Sequence, residues 1–177
     1  MSSILTAASI ITSVRATAAI LALALIALGG TPALALDDLA GWQETRWGMT
    51  EVQARKAAGT ETRTIDPPVN YRFLYAPMKV PLKIGAFPLE ALLQFSKETR
   101  RLQQVLVRSD SDNPALWTLL RDLLTEKYGA PAQLGDKQEW RFPTTIIELM
   151  RVQVPSVRQI HVRYYPATAY RDDKPKL

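Results

Sequence analysis

Side chains able to do chemistry are few in this 177-residue chain. His161 is its single histidine, so no second imidazole stands ready for a metal site, and with no cysteine there is no thiol for it to activate. A hydrolytic triad needs a serine presented on a tight turn, yet no Gly-x-Ser-x-Gly occurs. Ser96, Ser109, Ser111 and Ser156 fall in links or at strand ends. His161 alternates with apolar neighbours on the polar phase of a strand, which predicts a plain surface histidine.

The carboxylates add little. Asp110 and Asp112 alternate as they do in calcium loops, but Pro114-Ala115 follows where such a loop needs glycine, and no bidentate Glu stands at its end. The stretch reads instead as a turn and a helix cap, with its acidic charge well placed against the helix dipole. Glycine-rich phosphate or dinucleotide loops are absent, and two of the eight glycines belong to the N-terminal leader. No catalytic, metal or cofactor-binding residue is therefore expected, and the balance leans away from an enzyme. The first alternative is a cell-envelope hydrolase with a Ser or carboxylate site outside these patterns.

A binding surface is a better fit. Trp47, Trp117 and Trp140 are expected in the core, whereas Tyr75 and Tyr165 are expected on the sheet face opposite their neighbours. A sheet covered by helices on one side would then expose His161, Arg163 and Tyr165 on the other, a composition suited to protein recognition. Arg100, Arg101, Arg108, Arg151 and Arg158 would form a basic rim with Arg163 that steers an acidic partner. The candidate surface is His161, Arg163, Tyr165, Arg100 and Arg101.

The elements that must position these residues follow from the pattern. In Arg46-Trp47-Gly48-Met49-Thr50-Glu51-Val52-Gln53, Thr50 and Gln53 form a capping box, Met49 can staple back on the first turn, and Gly48 lets the chain turn. A short helix, Glu51 to Ala58, ends at Gly59. Thr60 to Val69 contains Pro67-Pro68 and predicts a loop. Tyr71 to Tyr75 predicts a strand with Tyr71, Phe73 and Tyr75 on one side. Met78 to Phe87 is broken by Pro81, as an edge or bulge would be. Leu89–Ser96 and Leu102–Arg108 predict a hairpin across the polar link Lys97–Arg101, with Val105 and Val107 inward and Gln104 outward. Asn113 caps the longest helix, Pro114–Tyr128, whose stripe is Leu116, Leu120, Leu123 and Leu124, extended by Trp117 and Tyr128. Ala130 to Asp136 predicts a loop, and Lys137–Phe142, Thr144–Val154 and Val157–Tyr165 predict strands. Each half runs from a helix to several strands, the order an internal duplication of elements would give.

The leader carries no acidic residue before Asp37 and only Arg15 as a base. Ala16–Leu28 is apolar, Gly29-Gly30-Thr31-Pro32 breaks it, and Ala33-Leu34-Ala35 suits a signal peptidase. Residues 1–35 are therefore expected to be a signal peptide and the protein periplasmic. An uncleaved N-terminal membrane anchor is the alternative, since Ala16 to Leu36 is just long enough to span. An exported domain without disulfides must hold by its core alone. Beyond Arg15 the chain has 21 Lys and Arg against 17 Asp and Glu. That excess predicts no nucleic-acid partner but allows weak binding to anionic lipid or polysaccharide.

The leader, Trp42-x-x-x-x-Trp47-Gly48-Met49-Thr50, Leu124-Thr-Glu-Lys-Tyr128-Gly129-x-Pro131 and Trp140 together resemble a group of small, mostly uncharacterised bacterial periplasmic proteins. The resemblance covers about Gly41 to Tyr165. More loosely, the chain is similar to the helix-plus-strands fold of β-lactamase-inhibitor-like proteins and of SmpA/OmlA outer-membrane assembly lipoproteins, without the lipidated cysteine of the latter. It implies a fold and no catalytic residue. The expectation is an α+β domain over 36–168, with two helices packed on an antiparallel sheet of five or six strands and a charged flexible tail over 169–177. Its expected role is a non-enzymatic binding or adaptor module with an envelope protein as partner and no cofactor.

Overall fold

Thr50 starts the first helix by the expected mechanism: its hydroxyl accepts the Gln53 N–H, and the Gln53 side chain accepts the Thr50 N–H at 2.9 Å. The computed structural model describes residues 40–168, so the signal peptide expected over 1–35 and the tail expected over 169–177 lie outside the described residues. Helix α1 is Glu51–Ala58, and α2 is Pro114–Tyr128, capped by the Asn113 side chain on the Ala115 N–H. Met49 and Ala54 join the same core cluster, as a staple requires. Val52 points the other way and is 80% exposed. On α2 the buried line is Leu116, Leu120 and Leu124, a strict i, i+4, i+8 row. Leu123 falls off its edge and is exposed, contrary to the expected stripe.

Eight strands form one antiparallel sheet, more than the five or six expected: β1 Arg63–Asn70, β2 Leu74–Ile84, β3 Phe87–Ser96, β4 Leu102–Ser109, β5 Ala132–Leu134, β6 Lys137–Arg141, β7 Thr145–Val154 and β8 Val157–Pro166. The two extra strands arise where loops were expected. β1 tolerates Pro67-Pro68 because it is an edge strand whose register with β2 breaks between Thr64 and Val69, leaving the prolines out of the ladder. β5 is a three-residue edge paired only with β6. Pro81 stands past the last β1 partner of β2, Lys79, so no strand lies beside it on that side. Tyr71, Phe73 and Tyr75 do not share a face. The strand starts at Leu74, Phe73 sits exposed in the preceding turn, and Tyr71 and Tyr75 belong to different clusters.

The strand order is β1-β2-β3-β4-β8-β7-β6-β5. Each half of the chain is thus a helix followed by a four-stranded meander, and the halves join through their last strands, β4 and β8. In topology a two-fold rotation through that junction exchanges one meander for the other. Both helices pack on one face. Their leucines and Ala54 meet Val80, Leu93, Val105, Val107, Ile147 and Val162 in the main core. A strap preceding α1 closes the same face: Gly48 and Met49 exchange backbone hydrogen bonds with Leu102, and the Trp47 indole donates to the Thr145 hydroxyl at 2.8 Å. Within it the Gly41 α-carbon packs so tightly that a Cβ there would lie 1.9 Å from the Thr45 carbonyl oxygen. Among the described residues no helix is long and apolar enough to cross a membrane.

Candidate sheet-face binding surface

Alternation along the strands sends a second set of side chains to the face without helices. Leu92, Leu106 and Ala76 lie there against Ile65, Val69 and Tyr71. Around this small apolar stripe the sequence places long charged residues, which cover it with their aliphatic stems while their charges pair.

The pairing repeats in the two halves. On β3, Glu90 stands directly opposite Arg108 of β4, and Lys79 of β2, the partner of Leu92, reaches it diagonally. Lys79 Nζ lies 2.7 Å from Glu90 Oε2, and Arg108 Nε lies 2.7 Å from Oε1. On β7, Glu148 stands directly opposite Arg163 of β8, and Lys137 of β6 reaches it from one step beyond the Gln138–Leu149 pair. Arg163 Nη2 is 2.6 Å from Glu148 Oε2. Strand positions and registers match, so both halves carry one Lys–Glu–Arg triad. The second half adds Glu139, directly opposite Glu148 and paired with Arg141 at 2.7 Å.

Burial alone would raise both carboxyls. The Lys79 and Arg108 hydrogen bonds at Glu90, and at Glu148 the Lys137 hydrogen bond, the Arg163 charge and the Tyr165 hydrogen bond, outweigh it and hold both below the usual carboxylate range. Tyr165, expected on an exposed surface, is only 7% exposed. Its hydroxyl is pushed upward first by burial and then by Glu148, to which it hydrogen-bonds. The tyrosine seals the second triad instead of presenting an aromatic anchor.

His161 lies between the triads. Arg108 is its partner on β4 and Met150 its partner on β7, with Gln159 and Arg163 two positions away on its own strand face. Nε2 meets Gln159 Oε1 at 2.9 Å. Burial first, then the charges of Arg108 and Arg163, push its pKa down to about 4. It is a neutral, partly buried imidazole between two guanidiniums, not the plain surface group expected. No hydroxyl stands at these neighbouring positions for it to activate. Among the described residues no group of His, Asp and Glu could hold a metal ion.

The expected surface residues therefore separate. His161, Arg163 and Tyr165 share the helix-free face. Arg100 and Arg101 lie in the β3–β4 turn at one end of the sheet, where Arg100 stacks 4.2 Å above the Tyr75 ring and pairs with Glu51 at 2.9 Å. Arg108 and Arg163 serve the triads. Arg151 faces the helices, 4.8 Å over the Trp117 ring. Sequence reasoning missed the glutamates Glu90, Glu139 and Glu148. Only Glu139 carried a signal within its own strand, between Lys137 and Arg141, whereas Glu90 and Glu148 stand between Pro88 and Leu92 and between Ile146 and Met150 and take their cations from other strands. Comparison with family descriptions, with curated proteins and with solved structures finds no match to this chain.

Proposed function

We propose that the protein is an exported, non-enzymatic binding module of the cell envelope that offers its helix-free sheet face to an acidic protein partner. The observation that carries this reading is the repeated Lys–Glu–Arg triad. It fixes long charged side chains in place before any partner arrives, so less side-chain freedom is lost on association. Arg63, opposite Lys79, and Lys83, opposite Pro88, extend the same face with exposed positive charge. Glu90, Glu139 and Glu148 are already neutralised internally, which leaves the face basic toward a partner. Export rests on the leader, whose apolar Ala16–Leu28 and Ala33-Leu34-Ala35 have the form that a signal peptidase processes.

The test is a photo-crosslinking side chain at Gln159, on the helix-free face beside His161, against one at the exposed Leu123 of α2. The expected result is capture of an acidic envelope protein at Gln159 and none at Leu123, with Arg63→Glu/Lys83→Glu abolishing it. Equal capture at both positions, or capture untouched by the double reversal, rejects the reading.

A further inference from the structure

The end of the sheet that carries the Lys97–Arg101 turn differs from the rest of the surface. Two large apolar side chains stand out from it largely exposed: Phe73, 68% exposed, and Val52. They flank the turn from either side. The Lys97 N–H donates to the Phe73 carbonyl at 3.0 Å, while Val52 shares an open hollow of about 370 Å³ with Thr50, Glu51, Thr99, Arg100 and Arg101. The polar side chains interleaved with them are mostly basic. Arg72 sits 4.8 Å over the Phe73 ring, Lys97 and Arg101 are exposed, and Arg100 is held on Tyr75. Glu51 of α1 pairs with Arg100 and accepts the Tyr75 hydroxyl, and Glu98 is the acid within the turn.

We propose that this tip docks on an anionic lipid bilayer, with Phe73 and Val52 entering the headgroup boundary and Arg72, Lys97 and Arg101 meeting lipid phosphates. Exposed aromatic and branched apolar groups ringed by arginine suit an interface that is wet, negative and apolar just beneath. The backbone that presents these side chains is held in place. The strap that precedes α1 is knitted to this same end by the Gly48 N–H on the Leu102 carbonyl and the Leu102 N–H on the Met49 carbonyl, beside Arg101. The docking does not depend on what the helix-free face binds.

The chain has no cysteine, so Phe73→Cys takes a single environment-sensitive fluorophore in the full-length protein. Val154→Cys, exposed at the β7–β8 turn on the opposite end of the sheet, is the control. The expected result is a blue shift at position 73 with phosphatidylglycerol vesicles and a much smaller one with phosphatidylcholine vesicles, suppressed by 1 M salt, and no shift at position 154. Each basic residue at such a surface strengthens binding on the order of five-fold. In co-sedimentation of the unlabelled chain, Arg72→Gln/Arg101→Gln therefore weakens binding to anionic vesicles roughly twenty-fold, with circular dichroism unchanged. Lys97→Gln gives a second, milder reading. No shift at 73, equal shifts on both lipids, or equal shifts at 73 and 154 overturn the proposal. So does a shift that grows with protein concentration without vesicles, which would identify a second copy of the chain as the occupant.

Discussion

Glu90 and Glu148 occupy matching places in the two halves of one sheet, each directly opposite an arginine of its half's last strand and diagonal to a lysine of its second. Because β4 and β8 pair with each other, the two arginines are drawn to the middle of the helix-free face, where His161 lies between them. The helix-covered face holds the fold by apolar burial, and the opposite face by ion pairs over a thin apolar stripe. The two carboxylates are not equivalent energetically, since Glu148 is 1% exposed and Glu90 is only partly buried.

Replacing Glu148 by Gln should therefore destabilise the domain more than replacing Glu90. Each change leaves a lysine and an arginine without their anion. Those cations retain some water, so the cost is about 1–3 kcal/mol and not the larger cost of a fully buried charge. Urea unfolding of the two single variants and the double gives the comparison. Near-additive losses are expected, because among the described residues no hydrogen bond or ion pair joins one triad to the other. A neutral Glu148→Gln would mean that the pairing adds nothing.

His161 makes the fold sensitive to mild acid. Its folded pKa of about 4 lies below the ordinary value of about 6.5, so between those limits the unfolded chain takes up a proton that the folded chain refuses. Stability should fall as pH drops from about 6.5 toward 4. Below that the depressed Glu90 and Glu148 begin to protonate, and their contribution, present above the unfolded carboxylate range, is lost. His161→Gln keeps a hydrogen-bonding partner for Gln159 and should flatten the upper part of the profile only. Melting temperatures at half-unit pH steps decide it, and a variant curve parallel to the wild type above pH 5 rejects the assignment.

The strap yields a third expectation. Gly41→Ala would drive a methyl group into the Thr45 carbonyl, a backbone clash that no side-chain rotation relieves, and should cost about 1–3 kcal/mol. Trp47→Phe keeps most of the apolar contact but leaves the Thr145 hydroxyl without the indole donor, at a cost of about 1 kcal/mol. Denaturant midpoints measure both. If Gly41→Ala matched the wild type, the strap would not be fixed as described.

Local signals in the chain were legible wherever chemistry is local. The Thr50–Gln53 box, the Asn113–Pro114 helix start and the Lys97–Arg101 hairpin all depend on residues within a few positions of one another. What escaped depends on partners distant in sequence. Pro67-Pro68 looks like a strand breaker until β1 proves to be an edge, and Ala132–Leu134 becomes a strand only because β6 lies beside it. The site was half legible. His161, Arg163 and Tyr165 do share a face, but Arg163 and Tyr165 are turned to Glu148, whose place is set by strand register and not by spacing. Arg100 and Arg101 adjoin that surface only in composition, since a hairpin turn carries them to the end of the sheet.

Packing of α2 gives the sharpest contrast between neighbouring leucines. Leu120 is buried between the Leu116 and Leu124 positions, over a sheet whose facing residues Val105, Val107 and Val162 have fixed branched shapes that cannot collapse far into a void. Leu120→Ala should therefore cost about 2–5 kcal/mol, transfer and cavity terms together. Leu123, three positions on, projects past the edge of that contact and leaves much of its surface in water. Leu123→Ala should stay within about 0.5 kcal/mol, because alanine's helix propensity offsets the little burial that is lost. Equilibrium unfolding of the two variants side by side tests the orientation of the helix, and equal losses would mean that α2 is rotated on the sheet.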